Sequence, residues 1–396
     1  MKKSGLLFLA LLLCVSMLAS CGAPTVSIDG DGYWVINGER TDVLARGTDG
    51  KDGKDGKDGA DGTTSDIARK LGYIVVTDYF TPSILRDVTD DIQRIISTNP
   101  HRTIFFPDGT YLISGTIKTS ANPDNSTHLV FSNYATLKAS SEFEGSALLS
   151  LGGAEPFNNV TKPGSNYGVD GGIFDCSGIT NGIEIASGRE TTIRNCSIKN
   201  AVVGIHVLKG ANSGSSDADM ADLNIIGNDK TDSVGILVEG NDNTFSNIRI
   251  GHTQIGVRVR SGGNFFNDVH PLFAMNAERY PTSVGFQVEA GSNTFNGCYS
   301  DQYRTGFRFT TAKTCILTDC WVYWWSDAGK EETAISCAGQ FNAIVSHLRV
   351  SFHNTTENAI LVVGATGGTG IFDYITTSKG KSQDETYLTY LKGSIV

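Results

Sequence analysis

The sequence predicts an all-β protein, a single right-handed parallel β-helix (a solenoid) with a short N-terminal capping helix. Three observations carry this. The motif Gly-apolar-x-apolar recurs along the chain. A second apolar position follows each copy at a nearly constant distance. Both alternate apolar and polar residues with period two, the signature of strands.

The first motif occurs at Gly182–Ile185, Gly204–Val207, Gly235–Val238, Gly256–Val259, Gly285–Val288 and Gly306–Phe309, with weaker copies at Ala334–Cys337 and Ala359–Val362. The second is centred on Cys196, Ile225, Ile248, Val269, Cys298, Cys320 and Leu348. The separation between them is 13 residues in three coils and 14 in two, and 21 between Gly204 and Ile225. The return distance varies more, from 8 residues (Ile248 to Gly256) to 16 (Val269 to Gly285), so insertions gather at one corner. Such short strands bury nothing alone; stacked coil on coil they bury a continuous core. The seven second-motif residues are expected to form one interior file. The 46 glycines are expected, with Asn, at bends where φ becomes positive.

Ahead of the repeats, Lys2 and Lys3 precede an apolar run, Leu6–Leu13, too short to span a bilayer as a mature helix. Leu18-Ala19-Ser20-Cys21 follows and resembles the lipobox of bacterial lipoproteins. The resemblance implies a signal peptide over 1–20, acylation of Cys21, and a bacterial cell-envelope location at the outer membrane or cell surface. Residues 21–46 read as a tether containing an aromatic hairpin-like stretch, Gly32–Gly38. Residues 47–64 place Gly at every third position, the collagen register, without proline. Two readings stand: a charged linker, or a stalk that makes the protein a homotrimer.

The body is expected over 65–396. It opens with a cap helix at about 87–97, which has acidic residues in its first turn, and then a strand-turn-strand over Thr103–Ser114. This opening, followed by the coils, resembles the pectate-lyase-like β-helix superfamily, including polygalacturonase-related and phage tailspike-like members. The resemblance implies a helix shielding the first coil's open edge. The Asn-Thr-Asp, Asp-Asp, Gly-His-Gly and Arg-Ile-Lys motifs of polygalacturonase-like enzymes do not occur in the repeats.

One residue past the second-motif centre, an outward column is expected: Ser197, Ile226, Arg249, His270, Tyr299, Trp321, Arg349. Insertions after Pro271 and Val322, with the short link between, add Glu278, Arg279, Tyr280, Asp301, Tyr303, Arg304, Tyr323, Trp324, Trp325, Asp327 and Glu331. Aromatic faces suit sugar rings, and an elongated solenoid face suits a polysaccharide. The expected binding residues are Tyr299, Trp321, Trp324, Trp325, Tyr303, Arg279, Arg304 and Arg249; the alternative is that the tryptophans pack a loop onto the coil. A hydrolase needs two carboxyl groups, and Asp301 with Glu278 or Asp327 is the candidate pair. A lyase needs a base and a cation, for which His270 or Tyr280 with Arg279 or Arg304 is the candidate set. A second column, Glu184, His206, Leu237, Arg258, Gln287, Arg308, offers two arginines to an anionic chain or to water.

Cys176 and Cys196, and Cys298 and Cys320, fall about one coil apart, as disulfides or as buried thiols. No Cys/His spacing forms a zinc site and no motif indicates calcium, so no cofactor is expected. The net charge of −10 disfavours a nucleic-acid partner. The expected function is an exported lipoprotein acting on a polysaccharide along a β-helix groove, as glycoside hydrolase or polysaccharide lyase. The alternative is a non-catalytic glycan-binding or adhesive surface protein.

Overall fold

The structure is a computed structural model that describes residues 24–45, 63–153, 168–209, 215–274, 276–311, 313–325, 332–352, 360–368, 370–373 and 375–377. The export segment, Cys21, nearly all of the triplet stretch, Asp327 and Glu331 lie outside them. The chain divides at Gly62/Thr63 into two units. In the first, strands Val26–Ile28, Tyr33–Ile36 and Glu39–Leu44 form an antiparallel meander, with the Arg40 guanidinium 4.1 Å from the Tyr33 ring centre.

The second unit is a right-handed parallel β-helix. Its coils pair strand on strand in three ladders. Sheet I runs through Asn181–Ile185, Val203–Val207, Val234–Val238, Ile255–Val259, Val284–Val288, Thr305–Phe309 and Thr333–Gln340. Sheet II stacks Ile193, Met220, Phe245, Phe266, Phe295, Leu317 and Val345 inward. Sheet III follows after one residue with positive φ: Asn195, Asp222, Asn247, Asp268, Gly297, Asp319 or His347, with φ between 51° and 62°. That left-handed residue turns the chain within a single peptide, which Asn, Asp and Gly tolerate best.

The expected interior file exists, with one correction. Cys196, Leu223, Ile248, Val269, Cys298, Cys320 and Leu348 stack at the start of sheet III, each 0–1% exposed. Leu223, not Ile225, belongs there; Ile225 stacks between Ile198 and Ile250, two residues on. Both point inward, so spacing alone cannot choose between them, whereas the ladder register does. Phenylalanines stack in parallel through the core: Phe245–Phe266 at 4.7 Å, Phe266–Phe295 at 4.9 Å and Phe286–Phe307 at 4.6 Å between ring centres.

The motif glycines follow a different rule from the one expected. Gly182, Gly204, Gly235, Gly256, Gly285 and Gly306 have no positive φ. They sit where sheets III and I converge, and a Cβ there would lie 2.1–2.8 Å from sheet III side chains and the next coil's carbonyl oxygen. Close approach, not backbone freedom, selects glycine there.

The capping helix is Thr89–Thr98. Ile92, Ile95 and Ile96 enter the core, and Gln93 exchanges two hydrogen bonds with the Lys118 backbone (2.8 and 2.9 Å), covering the first coil.

Candidate functional site

Period-two alternation on sheet III sends one residue in and the next out. The outward column reads Ser197, Asn224, Arg249, His270, Tyr299, Trp321, Arg349; Asn224 replaces the expected Ile226, by the same two-residue slip. Rigid register puts these side chains over one another. His270 stacks on Tyr299 at 4.1 Å, Tyr299 on Trp321 at 4.3 Å, and the Arg349 guanidinium lies 4.5 Å from the Trp321 ring centre. Two residues along, a parallel column carries Leu272, Asp301, Tyr323 and Ser351. Ser351 Oγ accepts from Trp321 Nε1 at 3.0 Å and from Arg349 Nε at 3.1 Å.

Asp301 is the polar centre of this face. Its Oδ2 stands 3.5 Å from His270 Nε2, and its side chain is 15% exposed. Burial and then the Asp301 charge push the Tyr299 phenol well above its ordinary pKa, and the same causes raise Tyr323. The loop after Leu272 is tied to the same residue, since Phe273 N donates to the Asp301 carbonyl at 2.9 Å.

Several expected binding residues are not available to a ligand. Trp324 has the inward parity of Val322, is 2% exposed, and donates its indole N–H to the Tyr303 carbonyl at 2.7 Å. Tyr303 is fully buried, its hydroxyl 2.7 Å from Thr253 Oγ1, because the left-handed Gln302 turns the chain inward before it. Arg279 is 3% exposed; it pairs with Asp229 and lies over Phe273. Tyr280 is buried and donates to Glu332 Oε1 at 3.0 Å. With Phe273, Tyr280 and Tyr303 make a small core that fastens the insertion down, so these aromatics follow the loop-packing alternative. Arg304 is half-buried and donates to the Pro281 carbonyl at 2.8 Å. Glu278 is exposed and Trp325 is 57% exposed; among the described residues no hydrogen bond or ion pair joins Glu278 to Asp301. Arg249 is exposed at the column's lower end. Asp327, the other proposed partner carboxylate, lies outside the described residues.

The stacking also changes what the column offers. Tyr299 has a ring on both faces, and Trp321 lies between Tyr299 and a guanidinium. Their faces are therefore spent on one another, and ring edges, a phenol, an imidazole and a carboxylate face outward.

Sheet I bears a second ionic group that spacing did not reveal. His206 Nε2 is 3.0 Å from Glu239 Oε2, Arg260 joins Glu239 (2.9 Å) to Glu289 (3.1 Å), and Arg258 reaches Glu289 at 2.7 Å. Glu239, Arg260 and Glu289 each follow the last apolar residue of the first motif, a signal visible on aligning successive coils. Burial opposes ionisation of both glutamates, but hydrogen bonds from Arg260 and His206, and from Gln287 and Arg258, hold their carboxyls below the usual range. Arg258 is thus paired and not a free anion-binding group. The Arg308 guanidinium has its pKa lowered by burial and then by the charge of Arg304.

The six described cysteines are free and buried. Cys176 and Cys196 are not equivalent, since Phe174 pairs with Ile198 in the ladder. Cys298 and Cys320 are stacked thiols, bonding the Phe266 and Phe295 carbonyls respectively. Among the described residues no group of three or more His, Cys, Asp or Glu is arranged to hold a metal ion.

Residues 76–270 match the family described as rhamnogalacturonase A/epimerase, pectate lyase-like. No curated protein matches the chain by sequence. Among solved structures it is similar to the tailspike of E. coli bacteriophage HK620 (TM-score 0.55, 11% identity, 79% of this chain and 67% of that one). It is also similar to the ORF18 protein of Geobacillus virus E2 (0.53, 12%, 91% and 69%) and to an alginate lyase from Paenibacillus sp. (0.51, 14%, 73% and 97%). At these identities the likeness is one of fold.

Proposed function

We propose, from the premise that the chain is a pectate-lyase-like right-handed parallel β-helix, that it binds an acidic polysaccharide along the outer face of sheet III and cleaves it by elimination beside Asp301. One observation carries this: Asp301 stands 3.5 Å from His270, which stacks on Tyr299, with Arg249 one coil before His270 and Arg349 two coils after Tyr299. In the proposed step Asp301 orients the imidazole, and His270 takes the proton adjacent to the uronate carboxylate. The imidazolium so formed then gives that proton to the leaving glycosidic oxygen, while the Tyr299 phenol, kept protonated by burial and by Asp301, remains a hydrogen-bond donor. The flanking arginines offset the uronate charges. Elimination fits better than hydrolysis because, among the described residues, a histidine and two tyrosines lie beside Asp301 and no second carboxylate does.

Incubation with a panel of acidic and neutral polysaccharides tests this. Unsaturated product ends are expected, and Asp301→Asn is expected to lower kcat by roughly 10²-fold or more with KM little changed. Saturated reducing ends would instead establish hydrolysis. Retention without cleavage would establish a glycan-binding surface protein. In the same proposal the chain is exported and acylated at Cys21, supported by Lys2, Lys3 and the run before Leu18-Ala19-Ser20-Cys21. The mass of the mature N-terminus, and its loss of lipid on Cys21→Ser, checks that part.

A further inference from the structure

The two arginines on either side of Asp301 are held in different ways. Arg349 is in register with Trp321, one coil earlier, and its guanidinium lies 4.5 Å from the Trp321 ring centre. Its Nε donates to Ser351 Oγ at 3.1 Å, and the same Oγ accepts from Trp321 Nε1 at 3.0 Å. Period-two alternation places Arg349 and Ser351 on one side of their strand, and Ser351 is 4% exposed. A guanidinium resting on an indole and tied at Nε keeps little rotational freedom. Among the described residues its Nη1 and Nη2 have no hydrogen-bond or ion-pair partner, and the residue is exposed. Arg249 lacks both supports. Its ladder neighbours are Asn224 and His270, and no Trp, Tyr or Phe ring lies beneath its guanidinium among the described residues. Its Nη1 reaches the Asp268 carbonyl only at 3.5 Å.

We propose that Arg349 is a preset carboxylate-binding fork, with Trp321 and Ser351 as its positioning residues, which fixes an acidic sugar two coils beyond Asp301. This deepens the elimination reading and rests on it for the position of the cleaved bond. A guanidinium presents its donors in one plane, and the N–H groups of Nη1 and Nη2 match the two oxygens of a carboxylate. A mobile surface arginine gains little from such a pair, because both side chains must be ordered to form it. At Arg349 the ordering is complete before a ligand arrives, so more of the interaction appears as affinity. Coils repeat at about 4.8 Å, which puts Arg349 roughly 10 Å along the axis from Asp301. The fitting ligand is therefore a chain that carries a carboxylate at a set distance from the bond to be cut. Arg249 supplies charge without fixed geometry. The face thus reads the sugars on the Arg349 side of Asp301 more strictly than those on the Arg249 side.

Isothermal titration of the full chain in detergent tests this without requiring cleavage. The probes are hexamers of galacturonate, mannuronate and guluronate, their carboxyl-reduced forms, and a sulfated neutral hexamer. At least one uronate hexamer is expected to bind, and its reduced form to bind about tenfold more weakly or worse. Arg349→Lys keeps the charge and removes the fork, at an exposed position where folding is not at stake. It is expected to weaken binding about tenfold, against about threefold or less for Arg249→Lys. Ser351→Ala is expected to weaken it about fivefold, and Ser351→Thr, which keeps the hydroxyl, to restore most of the loss. Where the parent cleaves the probe, the losses are expected in KM rather than kcat. Binding by none of the uronate hexamers, equal losses in the two lysine variants, or a sulfated hexamer bound as tightly as the best uronate would each overturn the fork. An affinity lost in Arg349→Lys while the parent cleaves nothing would remove the elimination reading and leave the fork standing. Cleavage by the parent with full affinity in Arg349→Lys would do the reverse.

Discussion

A methyl group on Gly256 would lie 2.4 Å from Pro271 Cβ and 2.6 Å from the Gly285 carbonyl oxygen. Neither neighbour can yield, one being a ring and the other a ladder backbone. Gly256→Ala is expected to destabilise the β-helix by about 1–3 kcal/mol in denaturant unfolding. Gly251→Ala is the control, because its new methyl would meet only the end of the Ile226 side chain, at 3.3 Å, and its cost is expected to be under about 1 kcal/mol. His128 gives a second residue-scale expectation. Burial lowers its pKa from 6.5, against a smaller upward pull from Asp170, so the folded state prefers the neutral ring. That contribution is complete above the unfolded value and is lost as pH falls through the folded one. Tm is expected to drop on moving from about pH 7.5 to 5.5, and to drop less in His128→Gln. Residues also mark where sequence reading stops. Tyr299 and Trp321 were legible as outward because they continue an alternation. Trp324 and Tyr303 were not legible as buried, because an insertion folding onto its own coil leaves no periodic trace.

Elements were more legible than residues, and the reason is repetition. Seven copies of one bend identify a corner even where any single copy is ambiguous. The exception is the turn between sheets I and II. There Asn243, Asn264 and Asn293, all at most 1% exposed, form a ladder: Asn264 Oδ1 accepts from Asn243 N (3.1 Å) and Nδ2 (3.0 Å), and Asn293 Oδ1 accepts from Asn264 N at 3.0 Å. Each sits two residues before a core phenylalanine, Phe245, Phe266 or Phe295, a regularity the two-motif alignment passed over. Asn264→Ala leaves two buried donors of Asn243 without an acceptor, and is expected to cost about 2–4 kcal/mol, near 1–3 kcal/mol for each unsatisfied group. Chemical denaturation checks it. Asn264→Asp keeps the acceptor but puts an oxygen in place of the Nδ2 that donates to the Ser261 and Gly262 carbonyls and to Asn293 Oδ1, and is expected to recover none of the loss at neutral pH.

At the scale of the whole molecule, the fold was readable because a solenoid writes its architecture into local sequence, coil by coil. The site was only half readable. Alignment of repeats brought His270, Tyr299, Trp321 and Arg349 to one line, but it could not show that their rings cover one another, since that depends on the spacing of the coils and not on residue type. Nor could it show that Glu239, Arg260 and Glu289 cancel each other's charge. The three faces of the β-helix are therefore chemically distinct: one an ionic lattice, one uncharged from Thr244 to Ser346 between the Arg194–Asp219 pair and Asp373, one a stacked row beside a carboxylate.

The single left-handed residue between sheets II and III leaves no slack on that edge. From Phe245 to Ile248 to Ile250, and from Leu317 to Cys320 to Val322, the steps are the same three and two residues. One added residue there would reverse inside and outside for the strand that follows. The opposite edge obeys no such count, passing from Asp301 to Thr305 directly and from Leu272 to Val284 by way of a folded loop. Length can vary along one seam of the molecule while the other keeps time, so new loops can be grafted beside the carboxylate row without disturbing the phase of the core.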